Sequence, residues 1–107
     1  MAVEESFRDY VFDQLSELGR FETKNMFGGV ALLRNGSAFA KIKHGTVWLK
    51  ADDSNRQDFL GLGMQQYTYG KDGSRKLNFY EIPAEVLEDG DAFVAWAQKS
   101  IKAASKK

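Results

Sequence analysis

The sequence predicts an α+β domain: an antiparallel sheet of about five strands, with an N-terminal helix, a short middle helix and a C-terminal helix. Three observations predict it. Residues 26–56 hold two tight-turn signals between short strand-like runs, residues 65–82 hold a second pair of runs around a glycine-rich loop, and both ends of the chain repeat apolar residues at helical spacing.

At the N-terminus Val3, Phe7, Val11, Leu15 and Leu18 form one apolar stripe, with Tyr10 beside it and Glu5, Arg8, Asp9, Asp13 and Glu17 elsewhere. This is the pattern of an amphipathic helix, and Gly19 is placed to end it. Residues 21–26 read as an additional extended segment leading into Phe27, Gly28 and Gly29, where two glycines allow a bend or the close approach of another element. These glycines run into a strand and lack the spacing and lysine of a phosphate-binding loop.

Asn35-Gly36 is the dipeptide that most favours a two-residue type I′ turn, because both central residues need positive φ, and His44-Gly45 is a weaker signal of the same length. Three strands in a meander follow. A two-residue loop sets register, so Arg34 is expected opposite Ser37, Leu32 opposite Phe39, Val30 opposite Lys41, Lys43 opposite Thr46 and Lys41 opposite Trp48. One face then carries Ala31, Leu33, Ala38, Ala40, Ile42, Val47 and Leu49, an apolar set suited to burial. The other carries Val30, Leu32, Phe39 and Trp48 among Arg34, Ser37, Lys41, Lys43, Thr46 and Lys50.

Beyond the meander, Asp52, Asp53 and Ser54 offer cap side chains for a short helix through Leu60, ended by Gly61 and Gly63. Residues 65–69 and 76–82 read as two strands, with Tyr67 and Tyr69 supplying aromatic cross-strand pairs. Pro83 stops the second and suits a helix start. A short helical turn follows over residues 84–87. From Asp91, an expected cap or first-turn acid, a longer amphipathic helix carries Phe93, Val94, Trp96, Ala97, Ile101 and Ala104 toward the basic tail of Lys99, Lys102, Lys106 and Lys107.

Hydrophobic residues are 43% and charged residues 28% of the 107, an ordinary balance for one globular domain, so residues 1–107 are expected to form a single domain with 105–107 as a frayed tail. There is no cysteine, which excludes disulfides and thiolate chemistry. The absence of a long apolar run and the acidic start predict a cytoplasmic protein away from membranes. Fifteen basic and fifteen acidic residues cancel, yet residues 20–50 carry a net +5, six basic groups against Glu22. The C-terminal tail is basic as well, and a neutral chain with local basic patches is not a typical DNA-binding domain. His44, the one histidine, falls in a turn, which leaves no triad and no histidine-based zinc site. Asp52, Asp53 and Asp58 could be read as a metal or acid/base cluster, but capping and helix-dipole chemistry account for the first two and Asp58 falls elsewhere on the helix. No catalytic residue, metal ligand or cofactor is predicted.

Met26-Phe27-Gly28-Gly29, the Asn35-Gly36 turn, Leu49-Lys50 followed by Asp52-Asp53 and Asn55-Arg56, Tyr67-Thr68-Tyr69, Tyr80-Glu81-Ile82-Pro83 and Trp96-Ala97 occur in that order. Together they resemble the N-terminal domain of the TfoX/Sxy family, bacterial regulators of natural competence, the uptake of DNA in transformation. The resemblance runs from the first helix to the last. It implies a transcription regulator that works with the cAMP receptor protein at promoters. The best-known members carry a second, helical C-terminal domain, so this chain is expected to be a single-domain short form. It implies no catalytic residues, and Phe27, Gly28, Gly29, Asn35, Gly36 and Arg56 are expected to serve architecture.

The functional expectation is a non-enzymatic regulatory or adaptor domain. It would bind a protein partner, the cAMP receptor protein, RNA polymerase or a second copy of itself, through the face of Phe39, Lys41, Lys43, Trp48 and Lys50. Two alternatives stay open. One is direct nucleic-acid binding, with Phe39 and Trp48 stacking on bases and the lysines on phosphates. The other is a small-ligand site in a cleft near Tyr67, Tyr69 and Tyr80.

Overall fold

The computed structural model describes residues 5–26, 29–43 and 45–105. Expectations that fall on Val3, Phe27, Gly28, His44, Lys106 and Lys107 lie outside those residues. Among the described residues the chain runs through α1 (Glu5–Gln14), β1 (Glu22–Met26), β2 (Gly29–Arg34), β3 (Ser37–Lys43), β4 (Thr46–Lys50), α2 (Arg56–Leu60), β5 (Gln66–Tyr69), β6 (Arg75–Glu81), α3 (Ala84–Leu87) and α4 (Gly90–Ser105). The strands form one antiparallel sheet in the order β1-β2-β3-β4-β6-β5. The architecture is the expected α+β one. The sheet has six strands rather than five because the extended segment before the glycines pairs with β2 along its whole length.

Asn35 (φ 55°) and Gly36 (φ 82°) adopt the positive φ that a type I′ turn requires, and Arg34 faces Ser37 as the turn demands. The register then departs from the sequence expectation. Leu33 faces Ala38, but Leu32 faces Ala40 and Val30 faces Ile42, so Phe39 is an extra residue in β3, a bulge. A slip of one residue turns every later side chain over. Val30 and Leu32 therefore join the buried face and Ala31 moves to the opposite one. Phe39 itself is fully buried. The expected pairings of Lys43 with Thr46 and Lys41 with Trp48 are present, because no bulge interrupts β3 and β4.

The helices all serve one side of the sheet. Val11 from α1, Phe59 from α2, Val86 from α3 and Phe93 and Ala97 from α4 pack in one cluster with Val30, Leu32, Ala40, Ile42, Val47, Leu49 and Tyr80. Phe39 belongs to this cluster through an aromatic chain. Its ring meets Phe21 edge-on at 6.1 Å, and Phe21 meets Phe12 of α1 at 5.6 Å. Such edge-to-face contacts add to the area that the rings bury.

The helix ends are set by side chains that reach backbone some way off. α1 stops at Gln14, four residues before the apolar stripe does. Residues 15–18 continue as turns to Gly19, whose φ is 96°, and Arg34 donates to the carbonyls of Leu18 and Arg20 at 3.2 and 2.6 Å. Gln14 ties this end to α3 by donating to the Leu87 carbonyl at 2.8 Å.

The expected capping of α2 by Asp52, Asp53 or Ser54 does not occur. Asp52 accepts from the Ser54 amide and hydroxyl, Asp53 pairs with Arg56, and the helix begins only at Arg56. Asn55, buried at 2% exposure, turns backward instead: its amide nitrogen donates to the Lys50 carbonyl at 3.1 Å and its oxygen accepts from the Asp52 amide at 2.8 Å. For α4 the cap is Asp89, which accepts from the Ala92 amide at 3.2 Å, while Asp91 is a first-turn acid.

Two substitutions test this account. Phe39→Ala should cost about 3–5 kcal/mol, the range for emptying a buried aromatic site, whereas an exposed Phe39 would cost little. Asn55→Ala should cost about 1–3 kcal/mol by leaving a strand-end carbonyl and a turn amide without partners. Denaturant midpoints at constant slope measure both.

Candidate functional site

Following the register across the sheet, Lys24 faces Ala31, Ala31 faces Lys41, Lys41 faces Trp48 and Trp48 faces Glu81, so these five lie in one row. The row is on the side that carries no helix among the described residues. Lys50 faces Phe79 on the same side, Lys43 lies two residues along from Lys41, and Tyr67 projects there from an irregularity in β5.

The rings and the cations on this face are packed together. Trp48 and Tyr67 meet edge-to-face at 5.0 Å, and the indole nitrogen of Trp48 donates to the Lys43 carbonyl at 3.4 Å. Lys41 Nζ lies 5.4 Å from the centre of the Tyr67 ring and 5.2 Å from that of Phe79, and Lys50 Nζ lies 5.3 Å from Phe79 on its own side. Each distance is within the reach of cation–π attraction. The lysine stems cover the apolar rings, and only 7% of Tyr67 and 6% of Phe79 is exposed. Trp48 is half-buried.

The Lys41 ammonium is held below the ordinary lysine pKa, first by burial, then by the nearby charges of Lys43 and Lys50. None of the ion pairs among the described residues includes any of these three lysines. A notch of about 30 Å³ opens beside Lys41, lined by Gly29, Ala31, Lys43 and Tyr67. Gly29 keeps it open. A Cβ there would stand 2.7 Å from the Ile42 carbonyl oxygen and 3.2 Å from Lys43 Cβ, so β3 approaches as closely as it does only because position 29 has no side chain.

Of the residues proposed from sequence, Lys41, Lys43, Trp48 and Lys50 share this face. Phe39 does not, because the bulge turns it into the core. Tyr67 and Phe79 were missed as part of this surface. Phe79 reaches it through the β4–β6 pairing, which joins segments well apart in the chain, and Tyr67 through an irregularity in β5 that leaves no local pattern. The tyrosine cleft is not formed. Tyr80 stacks on Phe59 at 5.4 Å on the helix side, Tyr67 faces the other way and Tyr69 is exposed on the edge strand. Asp58 is likewise separate from Asp52 and Asp53, since its carboxylate pairs with Lys99 of α4 at 2.9 Å.

Among the described residues, four helices on one side of an antiparallel sheet and an aromatic–lysine surface on the other define a two-layer α+β domain. The family model for the TfoX N-terminal domain matches residues 13–104, nearly the whole chain, and the protein belongs to that family. No curated protein matches the chain. Among the described residues no helix is long and apolar enough to cross a membrane.

The state of Lys41 gives a signed expectation. Its charged form is the one disfavoured by folding, so the folded protein binds fewer protons there than the unfolded chain does between the lowered pKa and the ordinary one. That contribution to stability is unfavourable at neutral pH and is relieved as pH rises through the window. Lys41→Met, which keeps the stem, should raise the melting temperature at neutral pH, most at low ionic strength where repulsion from Lys43 and Lys50 is least screened. Thermal melts across a salt series measure this.

Proposed function

We propose that this protein is a non-enzymatic regulatory module that acts in the control of competence genes by contact with another protein through its helix-free sheet face. The single observation that carries the reading is the one-sided layering. All four helices pack on one face of the sheet, and the other presents Trp48 with Lys24, Lys41, Lys43 and Lys50. A half-buried tryptophan is a side chain enriched at protein interfaces, and the lysines around it form no ion pair among the described residues. Membership of the TfoX N-terminal domain family supports the regulatory setting.

Contact with protein is favoured over contact with nucleic acid by where the cations sit. The ammonium groups of Lys41 and Lys50 lie over the Tyr67 and Phe79 rings, which are the places where bases would stack, and the chain has no net charge to draw in a polyanion. The partner is an acidic surface of the transcription machinery, with the cAMP receptor protein and RNA polymerase as first candidates.

The test is affinity capture from the native cell with the wild-type chain and with the triple variant Lys41→Glu/Lys43→Glu/Lys50→Glu. Retention of the cAMP receptor protein or a polymerase subunit by the wild type, resistant to nuclease and lost in the triple variant, is the expected result. Charge reversal at an interface rim acts chiefly on association rate, so the loss should deepen at low salt. Equal capture by both proteins overturns the reading. So does tight binding of single-stranded DNA that falls steeply with salt.

A further inference from the structure

Within the proposed docking face, and resting on that reading, we infer that the notch between Gly29, Lys41, Lys43 and Tyr67 is an anion site that takes the carboxylate of an acidic side chain from the partner protein. Three features of the site converge on this occupant.

The first is unbalanced charge. Lys43 and Lys50 stand close enough to Lys41 to disfavour its charge, Lys24 lies in the same row, and the acid of that row, Glu81, is on the far side of Trp48. A carboxylate placed beside Lys41 supplies the missing counter-charge and offsets a repulsion already present in the free protein. Binding there therefore gains more than at an exposed lysine with a partner of its own.

The second is size. A cavity needs at least about 10–15 Å³ to hold one water. At about 30 Å³ the notch has room for the two oxygens of a carboxylate. A flat base is far larger than that opening.

The third is construction. The opening exists because position 29 is glycine, since any Cβ would press on the Ile42 carbonyl and on the Lys43 stem that forms one wall. Tyr67 closes another wall and is held there by Trp48. A lysine cluster on an open surface would be mobile, whereas these stems lie against rings and backbone that are part of the sheet.

The experiment is an NMR titration of the full chain with sodium acetate at constant ionic strength, following the Gly29 amide and the Cε and Nζ signals of Lys41, Lys43 and Lys50. The expected result is saturable shifts at Gly29, Lys41 and Lys43 with a dissociation constant on the order of 10 mM, as suits one small carboxylate. The Lys41 titration midpoint should also move up toward the ordinary lysine value, read against the charged and titratable groups around it: Lys24, Lys43, Lys50, Tyr67 and Glu81. Lys41→Met should weaken acetate about tenfold, the worth of one charge-assisted hydrogen bond, with the rest of the amide spectrum unchanged.

Gly29→Ala would fill the notch but also press on the β3 backbone, so Lys41→Met is the deciding variant. Shifts that stay linear in acetate, or that saturate at the same acetate concentration in Lys41→Met as in the wild type, overturn the site. Stronger and saturable shifts with inorganic phosphate or a single-stranded oligonucleotide overturn the carboxylate assignment. Saturable acetate binding in a protein whose capture is unaffected by the lysine triple variant upholds the site and removes the docking role. Loss of capture without acetate binding does the reverse.

Discussion

The bulge at Phe39 is the constraint on which the rest of the structure depends. One extra residue in β3 lets Leu33 face Ala38 and Leu32 face Ala40, which reverses the faces of β2 relative to a plain two-residue hairpin. With that reversal Val30 and Leu32 enter the core together with Ala40 and Ile42. Without it the turn at Asn35-Gly36 would send Ala31 and Leu33 inward, and the two larger side chains would be stranded on the opposite face. Phe39 then reaches Phe21, and through it Phe12, so the residue that disturbs the ladder also docks the first helix on the sheet.

One-sided layering follows from the same distribution. A sheet buries apolar surface on the side where its strands supply it, and four short or medium helices find their partners there. The opposite face is left to shield its own rings. It does so with lysine stems laid over Tyr67 and Phe79, at the cost of gathering three ammonium groups and holding Lys41 in an unfavourable charge state. The arrangement that keeps these rings from water is thus also what leaves the face short of negative charge. Stability and the proposed recognition draw on the same side chains.

Much of the scaffold is legible in the chain because its signals are local. Asn35-Gly36 names its own turn, the helical stripes name α1 and α4, and Pro83 marks the boundary between the last strand and the helices that follow. The second turn sets the pairing of Lys41 with Trp48, which put four of the five candidate surface residues on one face. Signals failed where one side chain had two plausible local uses. Asp52, Asp53 and Ser54 look like helix caps, yet Asp52 closes a turn on Ser54 and Asp53 pairs with Arg56, while Asn55 spends its amide on the end of β4. Short polar side chains can bond to several nearby backbone groups, and the surroundings decide between these uses.

The sequence by itself determined the kind of domain, the order of its elements, its membership of the TfoX N-terminal domain family and the basic character of the central strands, because each depends on neighbours in the chain or on a pattern spread along it. Only the tertiary structure decided that Phe39 is core, that Tyr67 and Phe79 stand beside Trp48, and that Gly29 opens a notch against Lys41 and Lys43. The reason is physical. The bulge is chosen by which side chains the whole core takes in, and the pairing of β4 with β6 and the approach of β3 to a bare glycine join separate segments, so no short stretch of residues encodes them.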